Sequence, residues 1–224
     1  MTYLSAAFSQ HFSPGELPPA VRAVLGKPLR RAAVLSQLAV LGALAGLPAD
    51  RRQLPTALLW QTTGGARAET LLLLDEVCAG SAEPLPYDFL ATQPAIAAAQ
   101  LKAFLPGLRS ATCCPLASSD SANWSLLFCL ADTWLQEGRY AQILCAHLDH
   151  NTERASGHWL ALTANPLENP LARLQLPAVA ATRAEPDTPD FPAALSAWLN
   201  SPTSPTLHLH SAVGNCLAVE FSRS

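Results

Sequence analysis

The stretch Thr112 to Trp124, TCCPLASSDSANW, joins two adjacent cysteines to a run of small polar residues and then to an apolar segment. Serine and aspartate side chains cap helix N-termini, so this run predicts a helix that begins near Asp120. The helix is expected to reach Glu137, with Gly138 after its last turn. The stretch therefore predicts a sharp turn from a short buried strand, residues 111–116, into a long helix. The candidate N-caps are Ser118, Ser119, Asp120 and Ser121.

Apolar segments of strand or helix length flank this turn on both sides. Short apolar runs bounded by loops predict buried strands, and longer alanine- and leucine-rich runs predict helices. This alternation of strands and helices predicts an α/β fold, with layered helices around a mostly parallel sheet. The predicted strands are 55–62, 141–146 and 159–164, and the other predicted helices are 30–47, 66–79, 92–104 and 191–199, with a loop at Glu83 to Tyr87.

The chain is expected to form one domain over residues 1–224, with its core at about 29–164. Residues 165–190 are richer in proline, and their segment AEPDTPD predicts an exposed connection. Residues 191–224 are predicted to form a helix and a hairpin, because LHLH and CLAVEF alternate on either side of Val213-Gly214-Asn215.

The composition argues against several classes of partner. The formal net charge is −3 and 14% of the residues are charged, so we expect no nucleic-acid partner. No signal peptide is recognisable, and the longest apolar stretch, 32–47, is interrupted by polar residues and glycine, so we expect no membrane span. Six cysteines without a secretory signal are expected to be small buried hydrophobes in a reducing cytoplasm.

The order of these segments resembles the N-terminal, thiolase-like half of a β-ketoacyl synthase. It is more similar still to the short ketosynthase-like and chain-length-factor-like proteins of bacterial fatty-acid, polyketide and aryl-polyene gene clusters. The resemblance runs from Leu29 to about His150, just over half the chain. It rests on an arginine-led helix, the segments LLWQTTGG and PLPYDFLATQPAIAAAQL, the helix that ends in QEG, and the strand ILCAHLD.

The resemblance implies a nucleophile position that lacks its thiol. Active ketosynthases hold a cysteine at the strand-to-helix turn, where the helix dipole favours the thiolate. The family places this cysteine about seventeen or eighteen residues before the glycine that closes the helix, which here corresponds to Ser121 or Asp120. The family's catalytic histidines come from a C-terminal half that this chain is expected to lack, and His208 and His210 match neither histidine motif. No catalytic residue and no cofactor are therefore expected.

The same resemblance implies a role and partners. Inactive relatives, the chain-length factors, pair with an active ketosynthase and shape the tunnel that holds the growing chain. The chain is accordingly expected to be a non-condensing accessory subunit that works with a ketosynthase and an acyl carrier protein. Such folds associate by extending the sheet across a twofold axis, so we expect a dimer, either with a second copy or with a ketosynthase.

An enzymatic alternative uses the two adjacent cysteines. Cys113 or Cys114 could be the nucleophile of an acyltransferase or hydrolase if His147 or His150, oriented by Asp149, met it in space. The other interpretation is that both cysteines pack inside a buried strand, and it is favoured because free cysteine is among the most buried residue types.

Metal and nucleotide sites find little support in the sequence. Two groups of side chains are of types that bind zinc well: Cys145, His147 and His150, and separately His208 and His210. Neither a CxxC nor an HExxH motif is present, so no metal is expected. Gly64-Gly65 follows a predicted strand, as in phosphate-binding turns, yet neither GxGxxG nor GK[ST] is present. Trp124, near the start of the long helix, is hypothesised to fill the space that an acyl substrate would need.

Overall fold

A computed structural model describes residues 1–13, 15–80, 83–114, 116, 123–167, 169–176, 191–201, 204–210 and 218–223. The strands are β1 Thr2–Phe12, β2 Thr56–Gln61, β3 Leu108–Cys113, β4 Gln142–His150, β5 Ala155–Thr163, β6 Ala172–Gln175, β7 Thr206–His210 and β8 Ala218–Ser222. The α-helices are α1 Leu17–Leu25, α2 Val34–Gly46, α3 Arg67–Ala79, α4 Pro86–Ala91, α5 Trp124–Gln136 and α6 Phe191–Asn200. Short 3-10 helices lie at Ala49–Arg51, Pro94–Ala98 and Leu101–Ala103.

The described strands form one eight-stranded sheet in the order β3-β2-β4-β5-β1-β6-β8-β7. The α/β class is confirmed, but the prediction of a mostly parallel sheet is wrong, since only the pairs β2–β3 and β2–β4 are parallel. The other five pairings among the described residues are antiparallel. One reason is the short connection at 151–154, where the Asn151 side chain accepts from the N–H groups of Glu153 and Arg154. Such a turn can join only antiparallel strands.

Helices cover both faces of the sheet. On one face, which we call the α2 face, almost all of α2 is buried against side chains such as Leu58, Leu144 and Trp159. On the other, the α5 face, α5 and α6 pack against alternate residues of the same strands, including Leu59 and Leu160. Each strand therefore contributes to two hydrophobic clusters, which explains why β2 is buried at every position.

Most predicted elements are present, with ends shifted by a few residues. The predicted helix at 92–104 is wrong, because its backbone closes into 3-10 turns such as Ala99 N–H to Ile96 O and Phe104 N–H to Leu101 O. The predicted loop at Glu83 to Tyr87 is also corrected, since α4 begins at Pro86, a residue type well suited to a first helical turn. The expected helix start at Asp120 is replaced by Trp124, because Asn123 provides the cap.

Two strands lie outside both the predicted core of 29–164 and the predicted C-terminal hairpin. β1 pairs with β5 on one side and β6 on the other, which places the N-terminal segment in the middle of the sheet. β6 falls inside the region expected to be a proline-rich connection. The segment AEPDTPD, at 184–190, lies outside the described residues, so its predicted exposure stays a prediction.

The antiparallel strand pairing expected of the C-terminal hairpin is present, since β7 and β8 are neighbours in the sheet. Its predicted turn, Val213-Gly214-Asn215, lies outside the described residues. Across the ranges that are described, no helix combines the length and the apolar character needed to cross a bilayer.

Candidate functional site

The carboxyl ends of the three parallel strands meet at one edge of the sheet. We call this the parallel edge and define it by residues 61–65 after β2, 113–114 at the end of β3, and 147–150 of β4, together with the start of α5 at 123–124. Polar side chains at such an edge are close together because the strands run side by side, and α/β proteins commonly place functional groups there.

The start of α5 is held by two side-chain amides. The Asn123 Oδ1 atom accepts from the Leu126 N–H at 3.2 Å, which caps the helix. The Asn123 N–H in turn donates to Oε1 of Gln61, at 2.9 Å, and Gln61 is fully buried at the end of β2. The last residue of β2 thus determines where α5 begins. The predicted nucleophile positions Asp120 and Ser121 lie outside the described residues.

Cys113 and Cys114 are at the end of β3, where they point to opposite faces of the sheet. Cys113 is half-buried against the α2 face, and Cys114 is buried in the cluster on the α5 face. The Cys114 N–H donates to the Trp60 carbonyl at 2.7 Å, which continues the pairing with β2. Burial raises the pKa of both thiols, and each thiol is therefore a neutral group at neutral pH.

The structure does not bring either cysteine together with His147 or His150. β2 lies between β3 and β4, and strands two positions apart are separated by about 10 Å. The two imidazoles contact other groups: His147 is hydrogen-bonded to Thr63 at 3.2 Å, and His150 contacts Glu69. The cysteine–histidine pair of the enzymatic alternative is thus not assembled in this arrangement.

His147 lies on the α5 face in contact with other rings. Its ring centroid is 6.5 Å from that of Trp124 and 6.2 Å from that of His158, its partner across β4 and β5. Burial lowers the pKa of His147, and the negative charge of Asp149 offsets this only in part. His147 is therefore held as a neutral imidazole, which can act as a hydrogen-bond acceptor or donor.

Asp149 fills the glycine turn that follows β2. Its Oδ1 atom accepts from the Gly64 N–H at 2.8 Å and from the Thr62 hydroxyl at 3.4 Å. The Thr62 hydroxyl oxygen also accepts from the Gly65 N–H at 2.9 Å. The N–H groups that would bind a phosphate in such a turn are therefore bonded to the protein's own side chains.

His150 of β4 and Glu69 of α3 form a contact that is largely shielded from solvent. Nε2 of His150 is 3.1 Å from Oε2 of Glu69, and the exposed fractions of the two side chains are 4% and 14%. Burial by itself would raise the pKa of Glu69, but the contact with His150 and nearby backbone N–H groups outweigh it, so the pKa of Glu69 is lowered. The contact joins α3 to the carboxyl end of β4.

Aromatic rings occupy the space beside the first turn of α5. Trp124 stacks on Phe128 at a centroid distance of 5.9 Å and lies 5.8 Å from Phe191 of α6. Phe128 and Phe191 both contact Phe221 of β8. The Trp124 side chain is almost fully buried in this cluster. The hypothesis that it fills the space of an acyl substrate stays a prediction, because Asp120 and Ser121 lie outside the described residues.

The described residues contain no group of three or more histidine, cysteine or acidic side chains placed to bind a metal ion. Cys145 is completely buried, and burial raises the pKa of its thiol. His208 faces Glu220 across β7 and β8, with 3.7 Å between Nδ1 and Oε2. The side chain of His210 lies outside the described part.

Sequence reasoning missed several side chains of this region. Gln61, Glu69 and His158 each make a contact that organises the parallel edge or the neighbouring strand. The alternation of side chains along a strand could have identified two of them. Gln61 occupies a position of β2 whose side chain is on the α5 face, and His158 occupies such a position of β5. Glu69 could not be found this way, since its partner is on a different element 81 residues later in the chain.

Comparison with known proteins shows the fold. No protein-family model and no curated protein sequence matches the chain. One similar solved structure is the ketosynthase ApeO in complex with its chain length factor ApeC, from Xenorhabdus doucetiae. The match has 17% identity and a TM-score of 0.58, and covers 99% of this chain and 99% of the matched one. Another is the ishigamide ketosynthase/chain length factor, with 15% identity, a TM-score of 0.53, and coverage of 78% and 67% respectively.

These matches confirm, at the level of fold, the resemblance to ketosynthase-like and chain-length-factor-like proteins. The first match extends over both chains almost end to end, so the matched chain has nearly the same length as this one. The chain therefore has a thiolase-like α/β fold that includes its N-terminal strand and its C-terminal hairpin, beyond the part that the sequence resemblance covered.

Proposed function

We propose that the chain is a non-condensing, ketosynthase-like accessory subunit that pairs with an active ketosynthase in acyl-chain or polyketide assembly, of which aryl polyene synthesis is one form. Both similar structures are of ketosynthase and chain length factor, which supports this role. The observation that carries the proposal is an exposed apolar surface beside an open sheet edge.

The exposed apolar surface is formed by α3 and α4. No residue of α3 is buried, and Leu72 is 70% exposed although the helix is rich in leucine. On α4 and the residue before it, Phe89 and Leu85 are 62% and 65% exposed. Exposed apolar residues on two helices that contact each other are characteristic of protein–protein interfaces. We call the following residues the pairing surface: Leu71, Leu72, Leu74, Val77, Leu85, Phe89 and Leu90.

β3 forms one edge of the sheet, and the 3-10 helix Pro94–Ala98 contacts both β3 and α4. It pairs only with β2 among the described strands, and Arg109, Ala111 and Thr112 are exposed along it. An edge strand offers unpaired N–H and C=O groups that a strand of a second chain can bind. A dimer that extends the sheet from β3 would cover the pairing surface at the same time.

The lack of condensing activity is proposed from the neutral cysteines and the filled space at α5. Burial raises the pKa of Cys113 and Cys114, whereas an acyl-accepting cysteine needs a lowered one. Trp124, Phe128 and Phe191 occupy the volume next to the first turn of α5. Within the same proposal, Asp120 and Ser121 are the altered nucleophile positions, and an acyl carrier protein brings chains to the complex in the cytoplasm.

The proposal is tested by co-expressing the full chain with a complete ketosynthase from the same source. Size-exclusion chromatography with light scattering is expected to show a one-to-one complex. Condensing activity in that complex should depend on the cysteine of the ketosynthase and should persist when Cys113 and Cys114 of this chain are both replaced by serine. A chain that remains a monomer both alone and with the ketosynthase would exclude the role.

A further inference from the structure

A cavity lies between α6 and the central strands β1 and β5, on the α5 face. Its volume is about 400 Å³, within the range of roughly 300–1,000 Å³ typical of small-molecule sites. The pairing surface belongs to helices beyond the opposite face, so this cavity is separate from the surface that the proposed function uses. The residues that matter here are Ser9, His158, Leu160, Leu195, Leu199 and Arg223.

One wall of the cavity is apolar. Leu160 of β5 forms its floor, and Leu195 and Leu199 line it from one side of α6. Pro192 and Asn200 also line it, so the cavity follows α6 over nine residues, or about 12 Å at the helical rise. A wall of this length and character favours an elongated apolar group, because apolar surface removed from water stabilises the bound state.

The polar groups of the cavity favour a negative charge. Arg223 is its one permanent cation, and no acidic side chain occurs among the described residues that line it. Ser9 and His158 add a second polar group, joined by a 2.7 Å hydrogen bond between Oγ and Nδ1. Guanidinium groups bind carboxylates through planar, charge-assisted hydrogen bonds.

Arg223 is already held in place. Its guanidinium group lies 4.9 Å from the centroid of the Trp198 ring. Nε donates to the Ser204 carbonyl at 3.3 Å, and Nη2 donates to the carbonyls of Trp198 and Ser201. These bonds leave Nη1 without a partner among the described residues, so a ligand can bind it at little cost in side-chain entropy.

We propose that this cavity binds an elongated apolar molecule that ends in one carboxylate, with the chain along α6 and the carboxylate at Arg223. The inference does not depend on the proposed function, because the cavity and the pairing surface share no residue.

Isothermal titration of the full chain with decanoate and with decyltrimethylammonium tests the proposal, because the two probes share a chain and differ in charge. Decanoate is expected to bind saturably at one site, and decyltrimethylammonium about tenfold more weakly or worse. Acetate, which lacks the chain, should show no binding in the same range. Equal affinity for the two long-chain probes, or no saturable decanoate binding by the folded chain, would overturn the proposal.

Variants locate the site. Arg223→Gln should weaken decanoate binding about tenfold and remove the preference over decyltrimethylammonium. Ser196→Trp, on the exposed side of α6, should obstruct the cavity and weaken both probes. Arg173→Gln is the matched control, because Arg173 lies over the Tyr3 ring and does not line the cavity. If Arg223→Gln fails to fold, the affinities of the two probes for the unmodified chain and for Ser196→Trp test the proposal instead. An unchanged decanoate affinity in Ser196→Trp would reject this cavity as the binding site.

Discussion

The indole ring of Trp159 lies directly against the backbone of Gly42. A β-carbon added at Gly42 would come within 1.8 Å of Cε2 of this ring, which shows how closely α2 approaches β5. Both residues are buried, so the ring has no room to move away without displacing the α2 cluster. The absence of a side chain at one helical position thus sets the distance between helix and sheet.

Gly42→Ala is expected to destabilise the fold by about 1–3 kcal/mol, because it overpacks a fully buried contact. Gly46→Ala is the matched control in the same helix, since its nearest side-chain atoms are 3.4 Å away. That control should be neutral or slightly stabilising, as alanine favours helix over glycine. Urea unfolding followed by circular dichroism measures both effects. Equal stability of the two variants would mean that α2 can shift on the sheet.

Glu69→Gln is expected to lower stability at neutral pH by about 1 kcal/mol, because it removes the carboxylate charge beside the His150 ring at a contact largely shielded from solvent. The folded-state pKa of Glu69 is below its usual value of 4.5, so the carboxylate stabilises the fold above that pH and loses its effect as the pH falls through the lowered pKa. The difference between Glu69→Gln and the unmodified chain should therefore shrink below about pH 4.5.

The control for this experiment is Asp75→Asn, an exposed acid on the same helix. It should leave the free energy of unfolding nearly unchanged from about pH 7 to about pH 3. Unfolding midpoints of both variants, measured across this pH range, test whether the stability deficit of Glu69→Gln shrinks as the pH falls. A deficit in Glu69→Gln that stays constant down to the lowest pH would show that the side chain contributes by packing alone.

The sequence predicted the fold well where an element's own pattern decides its structure. The strand at 55–62 and the helices at 30–47 and 66–79 are present because their apolar residues have the period and length of the observed elements. β1 was missed because only two of its eleven residues are buried, although it pairs on both sides. Its position depends on partners more than 140 residues later in the chain, which local periodicity does not reveal.

The site was less predictable, because its contacts join distant elements. The pattern placed Cys113 and Cys114 in a short strand, which is observed for Cys113 at the end of β3, but it could not tell which face each side chain occupies. A one-residue difference in strand phase reverses that face. The contact of Glu69 with His150 depends on how α3 packs against the sheet, a tertiary feature with no local signal.

The cysteines are expected to differ in reactivity toward iodoacetamide at neutral pH. Cys78 is exposed on α3 and should be alkylated first among the five cysteines that lie in the described residues. Cys113 and Cys114 should react at least about tenfold more slowly, because a raised pKa lowers the fraction of reactive thiolate. Burial raises the pKa of Cys129 to about 11 with some contribution from Asp132, so it should also react slowly. Mass spectrometry of timed digests resolves these sites, with a denatured sample as the reference.

Fast alkylation of Cys113 or Cys114 in the native protein would reverse the interpretation of the site. It would restore the acyltransferase or hydrolase alternative, in which one of these thiols is the nucleophile. The same result in a Cys78→Ser variant would exclude an indirect effect of modification at the exposed cysteine.

Leu72→Asp is expected to weaken binding to the ketosynthase partner by at least about tenfold without changing the fold. Leu72 is 70% exposed, so the substitution costs little stability in the free chain, but in the complex it would bury a carboxylate in the apolar pairing surface. Val24→Asp is the matched control, because Val24 is 56% exposed on α1 and is not part of the pairing surface. Surface plasmon resonance against the immobilised ketosynthase measures both. Equal affinities of the two variants would show that the interface does not include Leu72. Weaker binding by Val24→Asp alone would show that the interface includes α1.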